Sequence, residues 1–219
     1  MNKDIKGMMK DTLILFAITL IAGLVLGVVY QVTKEPIAAQ AEKAKQEACK
    51  EVFADAASFE SLEAEVNLDT DAASELNTPK DAQWAENGFE GVDIGEVMAA
   101  LDENGTVLGY VINVNDHEGY AGDIEFMMGI RTDGTLNGIS LLAISETAGL
   151  GMRAEEVLKP QFVNKKAESF EYVKSGAMGE NQIDSISGAT ITTHAVTNGV
   201  NAGLYYFRTV IMGGGSGNE

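Results

Sequence analysis

The stretch Ile124–Ile144, IEFMMGIRTDGTLNGISLLAI, is two apolar runs joined at Asp133-Gly134. An Asp-Gly pair between such runs is a hairpin signal. The same design stands just upstream. Val97–Val114, VMAALDENGTVLGYVINV, is broken at Asn104-Gly105. Two successive hairpins predict four strands with short turns, hence an antiparallel sheet. Between the hairpins lies HEGYAG, His117–Gly122. Glycines on both sides of Tyr120 predict a bulge or tight bend there, of the kind that lets a ligand approach the backbone.

Working toward the C-terminus, the fourth strand runs into SETAGLGMRAEEVLKPQF, Ser145–Phe162. Ser145, Glu146 and Thr147 are polar at a strand end, and Gly149 and Gly151 loosen the backbone around Leu150. Spacing alone reads this as a flexible strand-to-helix connection. Arg153–Lys159 then predicts a short helix ended by Pro160. Farther on, Val196, Val200, Leu204, Phe207 and Ile211 recur every three or four residues. They form one apolar face of a helix that packs on the sheet. The entry to this helix is DSISGATITTH, Asp184–His194. A helix start leaves backbone N–H groups unpaired and carries partial positive charge, so an anion can sit there. Gly188 lets the backbone approach closely. Thr190, Thr192 or Thr193 can cap the helix, and physics alone favours plain capping over a ligand.

Toward the N-terminus, Thr12–Thr33 contains no charged residue over 22 positions. As a helix it spans about 33 Å, against a hydrocarbon core of ~30 Å. Lys3, Lys6 and Lys10 precede it, and Pro36 is expected to disturb a continuous helix beyond it. Ala39-Gln40-Ala41 would suit a signal-peptide cleavage site, but the apolar run exceeds the ~7–15 residues of such signals, which favours a retained anchor. Ile37–Phe53, rich in Ala, Glu, Lys and Gln, predicts a stalk helix. Ala54–Gly91 is acidic and weakly patterned; a helix end, a short strand and surface loops are expected, with Trp84 and Phe89 pinning the segment to the core. The expected organisation is a cytoplasmic tail 1–11, a transmembrane helix 12–33, a stalk 34–57, an extracytoplasmic domain 58–212 and a flexible tail 213–219. The fold class is α+β: an antiparallel sheet packed with helices, preceded by one N-terminal transmembrane helix.

Composition removes several function classes. The chain has 15 Lys+Arg against 33 Asp+Glu, a formal charge of −18. That surface does not suit nucleic acid, and any phosphorylated ligand needs a local donor site or a bond. Cys49 is the single cysteine, so neither an internal disulfide nor a cysteine-ligated cluster can form. No Gly-x-Ser-x-Gly elbow surrounds Ser185 or Ser187, no Walker pattern follows the glycines, and His117 and His194 have no recognised metal spacing. No metal site and no catalytic residue is expected.

DSISGATIT resembles the Ser/Thr-Gly-Ala-Thr flavinylation motif of the FMN-binding domain family, found in the G subunit of Rnf complexes and the C subunit of the Na+-pumping NADH:quinone reductase. GYAGDIEFMMGIRTDGTLNGI and SETAGLG are similar to the family's Gly-Tyr-Gly-Gly and Glu-Thr-Pro-Gly-Leu-Gly segments, in order. Ala121 and Ala148 replace the usual glycine and proline, and Ile144 stands where a histidine is common. The short chain looks more like the Rnf protein. The resemblance implies covalent FMN on Thr190 through a phosphoester, installed from FAD by a flavin transferase with Mg2+ outside the cytoplasm. Ser187, Gly188 and Ala189 would shape the phosphate turn and Asp184 would orient it. Glu146 and Thr147 would hydrogen-bond the flavin, Gly149-Leu150-Gly151 would pack Leu150 on its ring, and Tyr120 would line the pocket or pack on the sheet. The implied function is electron transfer in an ion-translocating ferredoxin:NAD+ oxidoreductase, beside other membrane subunits and with the bulk of the chain outside the cell (inner) membrane. The alternatives are the quinone-reductase counterpart and a non-redox extracellular adaptor.

Overall fold

The computed structural model describes residues 2–62 and 82–213, and side chains within these except those of 2–6 and 82. Expectations for 63–81 and for the tail after Gly213 lie outside the described residues. The chain divides into two units, Met1–Ala44 and Lys45–Glu219.

Helix α1, Asn2–Val52, supplies the described structure of the first unit and enters the second. Leu13, Phe16, Leu24 and Val28 are exposed along it. By length and composition it can cross a membrane. Its threonines satisfy their own hydroxyls, as an apolar surrounding requires: Thr12 Oγ1 donates to Met8 O at 2.8 Å and Thr33 Oγ1 to Val29 O at 2.9 Å. Pro36 does not end the helix, which runs through it to Val52. The good helix formers Ala, Glu, Lys and Gln on its C-terminal side favour continuing the helix there.

The second unit is built on a five-stranded meander in the order β1-β2-β3-β4-β5, every neighbour antiparallel. The strands are β1 Ser58–Ser61, β2 Val92–Leu101, β3 Val107–Asp116, β4 Ile124–Arg131 and β5 Leu136–Ile144. Both hairpins form where Asn-Gly and Asp-Gly predict them, with Gly105 and Gly134 at φ of 79° and 84°. Trp84, within the short helix α2 (Ala82–Glu86), stacks edge-on against Phe89 at 5.1 Å, and both are buried.

Each face of the sheet is covered. One carries the end of α1: Ala48, Cys49, Val52 and Phe53 pack on Met98, Val111 and Met127. The other carries helix α4, Thr190–Tyr206, whose Val196, Val200 and Leu204 join Val114, Phe126 and Met128. A π-turn over Phe207–Ile211 extends α4. Between β5 and α4 come a 3-10 turn Gly151–Arg153, helix α3 Ala154–Val157 and a second 3-10 turn Lys159–Phe162. Pro160 therefore does not end a helix. It sits in the first turn of the second 3-10 segment, where a missing N–H costs nothing. Two three-residue strands, β6 Glu171–Val173 and β7 Gln182–Asp184, pair in parallel ahead of α4.

Glycines let α4 lie close on the sheet. A Cβ on Gly199 would stand 2.9 Å from the Phe126 ring, and one on Gly203 would overlap Met128 Sδ. Gly203→Ala gains about 1 kcal/mol of helix propensity but overpacks a filled site at roughly 1–3 kcal/mol. A net loss of stability is expected in denaturant melts followed by Trp84 fluorescence; unchanged or higher stability would refute the close approach.

Candidate functional site

A cleft of about 500 Å3 opens at the N-terminal end of α4. Three segments distant in sequence meet there. Tyr120 comes from the β3–β4 connection; Glu146, Thr147, Leu150 and Gly151 follow β5; Gly188, Ala189 and Thr190 lead into α4. Ile191 and Thr192 also line it. Sequence reasoning passed over these two as lining residues, although they follow Thr190 within the first helical turn.

The turn into α4 is held without a side-chain cap at Ala189. Gly188 takes φ of 81°, a conformation strained for other residues. A Cβ there would also stand 3.2 Å from Leu150 Cδ2, so the two loops touch. Thr193 then staples the turn: Ile186 N donates to Thr193 Oγ1 at 3.1 Å, and the hydroxyl donates to Ala189 O at 2.9 Å. Thr192 is buried beside Gly151. Of the three candidate capping threonines, Thr190 alone is exposed, and its hydroxyl makes no hydrogen bond among the described residues.

Glu146 is buried, and its Oε1 accepts from Tyr120 N at 2.7 Å and Ala121 N at 3.4 Å. One carboxylate oxygen is thus committed to clamping the β3–β4 connection. Gly151 makes room for this side chain, because a Cβ there would come within 2.8 Å of Glu146 Oε2. Thr147 O accepts from Leu150 N at 3.1 Å and Met152 N at 3.3 Å, which curls the loop and presents Leu150, 40% exposed, to the cleft. Tyr120 is 67% exposed and lines the cleft rather than packing on the sheet.

Ser187, Gly149 and Asp184 stand outside the cleft lining. Ser187 is exposed in the turn, and Gly149 supplies φ of 76° before Leu150. Asp184 works behind the turn: Ala177 N donates to its Oδ1 at 2.9 Å, while Gln161 brackets its backbone with two hydrogen bonds.

The β3–β4 connection also carries unusual titrating groups. His117 bonds Asp93 at 2.9 Å and Asp123 at 3.1 Å, and these hydrogen bonds hold its pKa above the ordinary imidazole value. Burial pushes the Asp116 carboxyl up to about 7. His194, one turn after Thr190, faces Glu118 at 3.9 Å. Among the described residues no group of His, Cys, Asp and Glu is arranged to hold a metal ion.

Residues 119–205 match the FMN-binding domain family and residues 1–52 match the RnfG N-terminal region. Every residue of the cleft lies inside the first match. The chain is 34% identical to the G subunit of the Na(+)-translocating ferredoxin:NAD(+) oxidoreductase complex of Acetobacterium woodii, over 94% of this chain and 95% of that protein. The chain belongs to this RnfG family. The corresponding protein of the proton-translocating ferredoxin:NAD(+) oxidoreductase complex of Clostridium ljungdahlii is 31% identical over 87% of the chain and 90% of its own length. That of the ion-translocating oxidoreductase complex of Methanosarcina acetivorans is 27% identical, over 93% and 96%. The crystal structure of Shewanella oneidensis NqrC shares the family's fold with a TM-score of 0.50 at 18% identity, covering 73% of this chain and 84% of that one.

The two threonines of the turn are separable by stability. Thr193→Val leaves the buried Ile186 N–H without its acceptor, at about 1–3 kcal/mol. Thr190→Val removes an exposed, unbonded hydroxyl and is expected to stay within about 0.5 kcal/mol of the parent. Chemical denaturation of both variants measures the difference, and equal losses would contradict the division of roles.

Proposed function

We propose that Thr190 carries FMN through a phosphoester bond and that the chain relays electrons as the RnfG-type member of an ion-translocating ferredoxin:NAD+ oxidoreductase. The observation that carries this is the exposed, uncommitted Thr190 hydroxyl at the mouth of the cleft, with Thr193 already occupied in the turn. The cleft volume suits a cofactor, since such sites run to ~300–1,000 Å3. FMN also agrees with the domain that residues 119–205 match.

Attachment balances without a redox step. The Thr190 oxygen attacks the FMN-side phosphorus of FAD, the phosphoanhydride bond breaks, AMP leaves and the hydroxyl proton passes to solvent. A Mg2+-dependent flavin transferase performs it. Unpaired N–H groups at the start of α4 would hold the remaining phosphate oxygens. Leu150 and Ile191 would give the ring apolar contact, Thr147 and the second oxygen of Glu146 would supply polar contacts, and Tyr120 would close one side. Ser187, Gly188 and Ala189 set the turn, and Asp184 braces it from behind. FMN supplies the one- and two-electron chemistry, while the protein sets its place and its surroundings.

Residues 12–33 anchor the chain in the cell membrane, with 34–57 as a stalk whose end, residues 48–53, is packed into the domain, and the domain 58–212 lies on the extracytoplasmic side. That side suits a short N-terminal tail and a long domain that translocates whatever its charge. The partners are the other membrane subunits of the complex. The quinone-reductase alternative rests on likeness of fold alone.

Coexpression with a flavin transferase, denaturation and electrophoresis under ultraviolet light tests the bond. The parent chain is expected to fluoresce and Thr190→Ala to be dark. A dark parent band with active transferase would sink the covalent flavin, and a fluorescent Thr190→Ala band would sink the assignment to this residue.

A further inference from the structure

The β3–β4 connection is held at both ends by carboxyl groups. Near the cleft, Glu146 Oε1 accepts from Tyr120 N and Ala121 N. At the far end stands Asp116, the last residue of β3, with no exposed surface. Its Oδ1 accepts from Glu118 N at 2.7 Å. Its Oδ2 is buried and has no hydrogen-bond partner among the described residues. The ionisable groups that bear on it are Glu118, Asp123 and His117. His117 is itself bound to Asp93 and Asp123, and Glu118 faces His194 of α4.

These neighbours decide which form of Asp116 the fold accepts. An ionised carboxylate would leave a buried oxygen unsolvated beside two other carboxylates, a costly arrangement. As a neutral acid it still accepts from Glu118 N and carries no charge to repel Glu118 and Asp123. Burial is the main cause of its raised pKa; Glu118 and Asp123 add to the rise, while the Glu118 amide and His117 oppose it. The link to Tyr120 is short and closely packed. Gly119 lies between the two clamps, and a Cβ on it would run into Gly122 O.

We propose that Asp116 is a positioning residue for the cleft: as a neutral acid it holds the Glu118–Gly122 loop against Glu146, and its ionisation releases that loop and Tyr120 with it. It acts through Glu118 and touches no ligand. The direction follows from proton linkage. A carboxyl whose folded-state pKa is raised stabilises the held loop fully below the ordinary carboxylate range. That contribution is lost as pH rises toward and through about 7. His117 runs in the same direction, because its protonated form, the one bound to both aspartates, is also lost on raising pH.

The test is hydrogen exchange of the full chain in detergent, read on the peptide 117–123 and corrected for intrinsic rates, between pH 6 and 8. In the parent, protection is expected to fall with rising pH by up to ~tenfold per pH unit below about 7 and to level off above it. Asp116→Asn keeps a neutral acceptor for Glu118 N, so its protection should stay higher than the parent's and keep only the shallower fall that His117 adds. A flat parent profile would overturn the proposal, and so would an Asp116→Asn profile that falls like the parent's, since His117 would then be the responsible group. This readout needs no flavin, so it stands or falls separately from the Thr190 bond. Where flavin is attached, the pH slope of its midpoint potential is expected to bend near 7 in the parent and to run straight in Asp116→Asn; that arm alone rests on the flavin reading.

Discussion

The close seating of α4 on the sheet is the constraint from which the site hangs. Gly199 meets the Phe126 ring and Gly203 meets Met128 at distances that leave no room for a Cβ. A helix held that near cannot slide or lift without opening the core, because interiors are filled to crystal-like density. Its first turn is therefore fixed in space, and Thr190 with it. The loop after β5 is built to the same surface, with Gly151 tucked beside Thr192 and Leu150 against Gly188. The cleft is what remains between elements whose positions the core has already decided.

The opposite face of the sheet has its own clamp. Phe53, fully buried, covers Gly109 and Gly129, where a larger residue would collide with it. The Arg131 guanidinium lies 5.6 Å over the Phe53 ring and bonds Asp55 and Asn137. Asn137 in turn donates to Val52 O at 2.9 Å. Lys159 bridges Glu51 and Glu155 beside it. The end of α1 is thus locked into the domain by packing and by a polar network together. A long helix that finishes inside a packed core needs such a join, since exposed ion pairs alone contribute little.

Burial on both faces explains what the sequence disclosed and what it hid. Phe126, Met127 and Met128 are consecutive and all fully buried, two facing α4 and one facing α1. Alternation is lost in such a strand, so the turns had to identify it, and Asn-Gly and Asp-Gly did. The face of α4 was legible because helix spacing survives whatever it packs on. Strand β1 was harder: Ser58, Glu60 and Ser61 are exposed, and it exists by pairing with Met98–Leu101. The parallel pair β6–β7 is three residues long on each side, too short for any period to show. At the site, the residues of the cleft were legible through ordered motifs. The commitment of Glu146 to the loop, and the burial of Asp116, were not. A carboxylate at a strand end reads as surface until the chain that covers it is in place.

The electrostatics of the cleft give the sharpest reason for a bond rather than mere affinity. Its lining contains two ionisable residues, Glu146 and Tyr120, and neither is a cation. The chain as a whole carries −18. A phosphate there finds backbone N–H groups and the helix dipole, worth up to ~2 kcal/mol in a favourable, partly buried setting. At about 1.4 kcal/mol per tenfold, that is roughly a 30-fold gain in affinity. So small a gain, opposed by the surrounding acidic field, is a weak hold on a cofactor. The phosphoester proposed on Thr190 would make retention independent of affinity. It leaves the cleft free to be shaped for the ring and for electron transfer, and an acidic protein then needs no cationic pocket to keep an anionic cofactor.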